Sequence, residues 1–239
     1  MKHKIIQCDK CNNLGYSYYI DEQGEVRGRW CTCHPQRLLL QKLENVGLGK
    51  YFNKTLEDFT TNYGWQEYMF NTATDYIKEG YKEGNWLMIC GQYGSGKSLL
   101  SSIVLKEILS AEEKYVPIAV VWSSFVEQYK LAWGTENREK LQEIINIVDE
   151  MKSADILYLD EILKVDTQST QNVLFDIINF RYLNDKPTIL TCEKLYDDLK
   201  VRFPALCGRV FEKTSHKYLL QIGYDDEKNM REKIHDTDF

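Results

Sequence analysis

Residues 91–98 read Gly91-Gln92-Tyr93-Gly94-Ser95-Gly96-Lys97-Ser98, a spacing that gathers backbone N–H groups, one cation and one hydroxyl around an anion. An apolar run, Trp86-Leu87-Met88-Ile89-Cys90, precedes it, and Leu99-Leu100-Ser101-Ser102-Ile103-Val104-Leu105 follows, so the order is buried strand, glycine-rich turn, helix. The glycines let the chain curl until successive N–H groups face one concavity, and the positive end of the helix dipole adds to the attraction for phosphate. The expected nucleotide-binding stretch is Gly91, Gly94, Ser95, Gly96, Lys97, Ser98 and Leu99. Lys97 would reach the β- and γ-phosphates, and Ser98 would offer its hydroxyl to Mg²⁺. The bland alternative, a glycine-rich turn with an incidental lysine, does not explain why strand and helix flank it in this order.

A second half of such a site belongs at the end of another strand. Asp155-Ile156-Leu157-Tyr158-Leu159-Asp160-Glu161 is an apolar run closed by two carboxylates. We assign Asp160 to Mg²⁺ and Glu161 to activation of the attacking water, a division that favours hydrolysis over simple binding. A core strand ending in solvated acids is the competing reading for this stretch alone.

A different chemistry sits near the start of the chain. Cys8-x-x-Cys11 and Cys31-x-Cys33 contain four of the seven cysteines. Paired thiolates on two short turns can converge on Zn²⁺ as a closed, structural, tetrahedral site. Tyr16–Ile20 and Val26–Trp30, either side of Asp21-Glu22-Gln23-Gly24, predict a β-hairpin that brings the pairs together. A head this small buries too little apolar surface to fold unaided, so the metal would supply much of its folding free energy. Disulfides are the alternative, disfavoured for a chain of a reducing compartment. His3 and His34 are possible replacements for a thiolate. Cys90, Cys192 and Cys207 read as ordinary buried residues.

The elements that must position these groups follow an α/β pattern. Strands are expected at Trp86–Cys90, Ile118–Trp122, Ile156–Leu159, Thr188–Thr191 and Tyr218–Ile222, with helices at 65–79, 124–131, 137–152, 168–184 and 195–200. Alternation of this kind implies a mostly parallel sheet covered by helices on both faces. A helix from Pro35 to Glu44 follows the cysteines and stops at Gly47-Leu48-Gly49. The expected organisation is a zinc-binding domain with trailing helix over 1–47, a linker over 48–62 and a core over 63–239.

With 239 residues and a net charge of −6, the chain suits one α/β domain with a small appendage, and the acidic balance argues against a surface built to grip duplex DNA. Residues 1–50 hold eight Lys/Arg and five Asp/Glu and are weakly basic. No apolar segment approaches the roughly 20 residues of a membrane span, and Met1-Lys2-His3-Lys4-Ile5-Ile6 is too short for a signal peptide, so the cytoplasm is the expected location.

Together these residues resemble the AAA+ ATPases of the DnaC/DnaI helicase-loader group, including bacteriophage versions, over nearly the whole chain. The resemblance implies an AAA+ P-loop core, ATP as ligand and substrate, and a zinc head that contacts a replicative DNA helicase. It implies self-association through the ATP sites and binding of single-stranded DNA. Phe180-Arg181-Tyr182 followed by Lys186-Pro187-Thr188-Ile189-Leu190-Thr191 is similar to the segment carrying the sensor-1 strand, although Glu193 stands where many relatives have Asn, with Thr191 nearby. Leu206-Cys207-Gly208-Arg209-Val210 resembles the arginine-finger segment. A guanidinium reaching a neighbouring subunit's γ-phosphate would neutralise charge developing there, which gives Arg209 a catalytic role. Asn229-Met230-Arg231 resembles the segment of the sensor-2 arginine, with Arg231 on the nucleotide. For single-stranded DNA, Tyr129, Lys130 and Trp133 lie in a suitable region, though a Tyr and Trp at that spacing also suit a core. Alternative functions are a transposition-helper ATPase of the IstB type, a protein that captures and blocks a helicase, and a P-loop small-molecule kinase.

Overall fold

The computed structural model describes residues 6–134 and 138–233; His3 lies outside them. Two strands, β1 (Tyr16–Ile20) and β2 (Val26–Trp30), form an antiparallel hairpin with Tyr16 opposite Trp30. Asp21 closes the turn by accepting from the N–H groups of Gln23 and Glu25 at 3.0 and 2.9 Å. Its hydrogen bond from Arg27 holds the carboxyl below its usual range. Helix α1 (His34–Asn45) follows, then α2 (Gly64–Lys78), β3 (Leu87–Gly91), α3 (Lys97–Ala111), β4 (Pro117–Val121), α4 (Trp122–Trp133), α5 (Arg138–Ser153), β5 (Ile156–Asp160), α6 (Gln168–Leu183), β6 (Thr188–Cys192), α7 (Tyr196–Arg202), α8 (Pro204–Lys213), β7 (Leu219–Ile222) and α9 (Met230–Lys233).

Strands β3 to β7 form one parallel sheet in the order β4-β5-β6-β3-β7. Its central strands are buried along nearly their whole length because both faces are covered. Alternation along each strand then sorts residues into two cores. Met88, Cys90, Leu157, Leu159, Leu190 and Cys192 face one layer with Trp122, Phe125, Leu174 and Val210. Leu87, Ile89, Tyr158, Ile189 and Leu220 face the other with Met69, Tyr76, Leu100 and Val104. Leu39 and Leu43 of α1 belong to that second core, as does Phe59, and Lys42 Nζ donates to the carbonyls of Glu113 and Tyr115, so the helix that leaves the cysteine head is fastened to α3.

Two expectations need correction. Trp122 does not extend the strand at 118–122; it opens α4, where Trp122, Phe125 and Val126 point into the core at helical spacing. Residues 204–213, for which no helix was expected, form α8, with Pro204 at its first turn, where its missing N–H costs nothing, and Leu206, Cys207 and Val210 buried.

Arg181 is fully buried in α6 and explains how the sheet's back layer is knit together. Its guanidinium donates to the carbonyls of Met151, Lys152, Ala154 and Pro187 and to Thr188 Oγ1. Two of these acceptors lie in the last turn of α5, whose carbonyls have no partner within their own helix. Burial lowers the Arg181 pKa to about 9. No helix among the described residues is long and apolar enough to cross a membrane.

Candidate functional site

The phosphate loop lies between the end of β3 and the first turn of α3, and its glycines Gly91, Gly94 and Gly96 hold φ of 103°, 72° and 86°. These left-handed values strain any side chain. At Gly91 and Gly94 space also excludes one, since a Cβ would lie 1.9 Å from the Ile222 carbonyl oxygen and from Asn229 Oδ1 respectively. Lys97 is buried and donates to the carbonyls of Gly91 and Gln92 at 2.9 and 2.6 Å, and desolvation lowers its pKa. Ser95 Oγ closes the loop on the Gln92 carbonyl.

Topology brings the acidic strand to this loop because β6 alone separates β5 from β3. Ser98 Oγ donates to Asp160 Oδ1 at 2.9 Å, so the two residues assigned to Mg²⁺ sit together. The Thr191 hydroxyl, at the end of β6, donates to the same oxygen at 2.5 Å and accepts from the Glu161 N–H at 2.9 Å. An oxygen-rich set of this kind, one carboxylate and one hydroxyl beside open space for phosphates and water, fits Mg²⁺. Thr191 therefore reaches the acidic pair directly, whereas Glu193 lines the cleft mouth and pairs with Lys164.

The cleft itself, about 270 Å³, is lined by Gly94, Gly96, Lys97, Ser98, Leu99, Glu161, Glu193 and Arg231 together with Tyr51, Tyr93 and Met230. Arg231 is brought to it by a clasp in which the Met230 N–H donates to the Gly94 carbonyl and Asn229 Oδ1 accepts from the Arg231 N–H. Tyr51 and Tyr93 were missed by sequence reasoning, and Asn229 and Met230 were named only as neighbours of Arg231. Tyr93 sat in plain view as a variable position of the loop, but nothing in the linker marked Tyr51 as a wall of this cleft. Arg209 is not among the cleft residues. It sits on α8, donating to Asn179 Oδ1 and the Ala205 carbonyl, with its guanidinium 4.6 Å from the Phe175 ring centre. Tyr129 packs on the core, whereas Lys130 and Trp133 are exposed.

In the head, the Sγ atoms of Cys8, Cys11, Cys31 and Cys33 all lie within 4.8 Å of one another. Cys8 and Cys31 are 3.7 Å apart and Cys11 and Cys33 3.6 Å apart, close to the edge of about 3.8 Å that a tetrahedron with Zn–S bonds of about 2.3 Å would have. None of the four is in a disulfide. The Gly15 N–H donates to Cys11 Sγ and Arg37 Nε to Cys33 Sγ, both at 3.2 Å, the outer donors expected around metal-bound thiolates. The Cys33 backbone N–H brings the Cys31 thiol down to about 6. His34 stacks on Trp30 with ring centres 3.9 Å apart and lies outside the cluster. The residues thus have the donor set and spacing to hold zinc.

Comparison with known proteins agrees with this geometry. Residues 86–211, more than half of the chain, match the family model described as AAA domain (dynein-related subfamily). The chain is 26% identical to the phage-like element PBSX protein XkdC of Bacillus subtilis over 94% of its own length and 85% of that protein's. Its fold is similar to a putative primosome component from Streptococcus pyogenes, with TM-score 0.56 and 21% identity over 74% of this chain and 88% of that one. It is also similar to the DnaC helicase loader, with TM-score 0.50 and 21% identity over 73% of this chain and 97% of that one. A phosphate loop meeting an acidic strand across a β4-β5-β6-β3-β7 parallel sheet is the arrangement such a core requires, and the chain belongs to the AAA family.

Proposed function

We propose that the chain is an ATPase that loads a replicative DNA helicase onto single-stranded DNA, with ATP binding driving assembly and hydrolysis driving release. The observation that carries this reading is the joining of a four-cysteine head to a complete nucleotide cradle by α1, which packs on α3, the helix that begins at the phosphate loop. The name of the DnaC helicase loader and that of the primosome component support the same class of role. The functional units are the zinc head over 1–47, a linker over 48–62 and the ATPase core over 63–239, acting in the cytoplasm.

In this mechanism Lys97 exchanges its bonds to the Gly91 and Gln92 carbonyls for phosphate oxygens, and the loop N–H groups hold the remaining phosphate charge. Ser98 and Asp160 would hold Mg²⁺, which would supply charge neutralisation on the phosphates. Glu161 takes the proton of the attacking water. Arg231 holds the nucleotide from the clasp over Gly94. Arg209, outside its own cleft, faces a neighbouring protomer's γ-phosphate, so that ATP binding joins subunits. The zinc head presents Leu14, Tyr18, Ile20, Val26 and Trp30, all well exposed, to the helicase. Lys130 and Trp133 are the exposed groups available to a DNA strand.

The test is reconstituted helicase delivery. Lys97→Ala is expected to abolish ATP-dependent loading, and intact delivery by that variant would refute the reading. Glu161→Gln is expected to stall a loader on its partner, whereas a protein that only captures and blocks a helicase would work unimpaired. Affinity capture with Glu161→Gln and ATP that returned a transposase would move the assignment to a transposition helper.

A further inference from the structure

Two carboxylates, Glu161 and Glu193, line the cleft, and a third, Asp160, meets it through the hydrogen bond it accepts from Ser98. Asp160 has the metal role. The other two share one cation, Lys164. Its Nζ lies 3.1 Å from Glu161 Oε2 and 3.1 Å from Glu193 Oε1, bridging residues on two different strand ends.

The backbone around this bridge is unusual. Glu161 and Leu163 both hold left-handed φ, 56° and 59°, which costs free energy in a residue with a side chain and persists only where neighbours over-determine it. The determinants are visible. The Glu161 N–H donates to Thr191 Oγ1, the Ile162 N–H to the Thr191 carbonyl, and Lys194 Nζ to the Leu163 carbonyl. Residues 161–164 are thus laid along 191–194, the main chain of Glu161 is fixed, and only its carboxylate remains to be aimed.

We infer that Lys164 is a positioning residue that aims the Glu161 carboxylate, with Glu193 as the anchor that holds the Lys164 ammonium in place. The inference rests on the ATPase reading of the cleft. Lys164 touches no part of the cradle that grips phosphate, so its loss acts on the step Glu161 performs and leaves nucleotide binding in place. The bridge is partly exposed, and ion pairs of that kind add little to stability. The readout is therefore turnover and not unfolding.

The experiment measures ATP hydrolysis and nucleotide Kd for the full chain carrying Lys164→Ala, Lys164→Arg, Glu193→Gln and Glu161→Gln, and the double variant Lys164→Ala/Glu161→Gln. Lys164→Ala is expected to lower kcat about 10-fold through a misaimed carboxylate. KM and Kd should stay within about two-fold, because only a group acting on the chemical step has been disturbed. Lys164→Arg should restore most of the rate by keeping the cation, and Glu193→Gln should lower kcat less than Lys164→Ala does. In the Glu161→Gln background Lys164→Ala should have no further effect. If Glu161→Gln abolishes turnover and Lys164→Ala leaves kcat unchanged, or if the two losses multiply, the positioning role is overturned while the ATPase reading stands. If Glu161→Gln itself retains full turnover, the assignment of Glu161 fails and takes the role of Lys164 with it.

Discussion

Ser98 Oγ donates to Asp160 Oδ1 at 2.9 Å, joining the first turn of α3 to the tip of β5 across 62 residues of sequence. The same Asp160 oxygen accepts from Thr191, so loop, acidic strand and β6 meet on one atom.

Ser98→Ala and Asp160→Asn are each expected to reduce Mg²⁺-dependent ATP hydrolysis about 100-fold or more, since each removes part of the charge stabilisation at the transferred phosphoryl group. Far-UV circular dichroism should be unchanged. Turnover measured across a Mg²⁺ titration checks this, and a rate for Ser98→Ala equal to the parent at low Mg²⁺ would remove the hydroxyl from the metal site.

The cysteine head has a core of little more than Cys11, Cys31 and Cys33 with Ile6 and Cys8 against it. On the zinc reading its order comes from the metal, because so small an apolar cluster cannot offset chain entropy. Native mass spectrometry should find one zinc per chain, lost in Cys11→Ser. Chelation should abolish amide protection along Tyr16–Trp30 while leaving nucleotide affinity of the core within about two-fold, as expected when metal binding and head folding are a single event. A hairpin that keeps its protection after zinc removal would contradict this.

Arg181→Met should be among the most damaging substitutions in the core. It removes a donor from four backbone carbonyls and Thr188 Oγ1 at a site with no solvent. The expected cost is about 3 kcal/mol or more, measured by denaturant unfolding. Arg181→Lys should rescue little, because a point charge cannot reach acceptors arranged around a planar fork.

Much of this was legible in the sequence. The phosphate loop, Asp160, Glu161 and the four cysteines announce themselves because each depends on residue type at short spacing, and the buried strands do so because parallel strands covered on both faces read as unbroken apolar runs. What stayed hidden depends on long-range placement. Trp122 continues the apolar run of β4 yet belongs to α4, since burial alone does not distinguish a strand's last residue from a helix's first. The helix at Pro204–Lys213 has a start signal in Pro204, but Gly208 in its middle weakens the helical pattern. Tyr51 reaches the cleft only because the linker folds back over the loop, and it carries no local motif. Thr191, not Glu193, reaches Asp160 because the Leu159–Leu190 register sets Thr191 beside the tip of β5, whereas Glu193 lies past the end of β6 and pairs with Lys164.

The C-terminal clasp can be tested through one glycine against another. At Gly94, φ is +72° and a Cβ would meet Asn229 Oδ1 at 1.9 Å. Asn229 is buried, accepts the Arg231 N–H, and donates to Glu232 Oε1 at 2.6 Å, so moving it frees the segment that sets Arg231 on the cleft. Gly94→Ala should therefore cost about 1 to 2 kcal/mol of stability from the left-handed backbone, and should also weaken nucleotide binding. Gly208 lies inside α8 with nothing within 4 Å of its would-be Cβ and no positive φ. Gly208→Ala should stabilise the chain by roughly 0.5 to 1 kcal/mol through helix propensity and leave nucleotide affinity untouched. Paired denaturation curves and nucleotide titrations decide the matter: if Gly94→Ala binds nucleotide as well as Gly208→Ala does, the clasp is a structural strap and Arg231 does not depend on it.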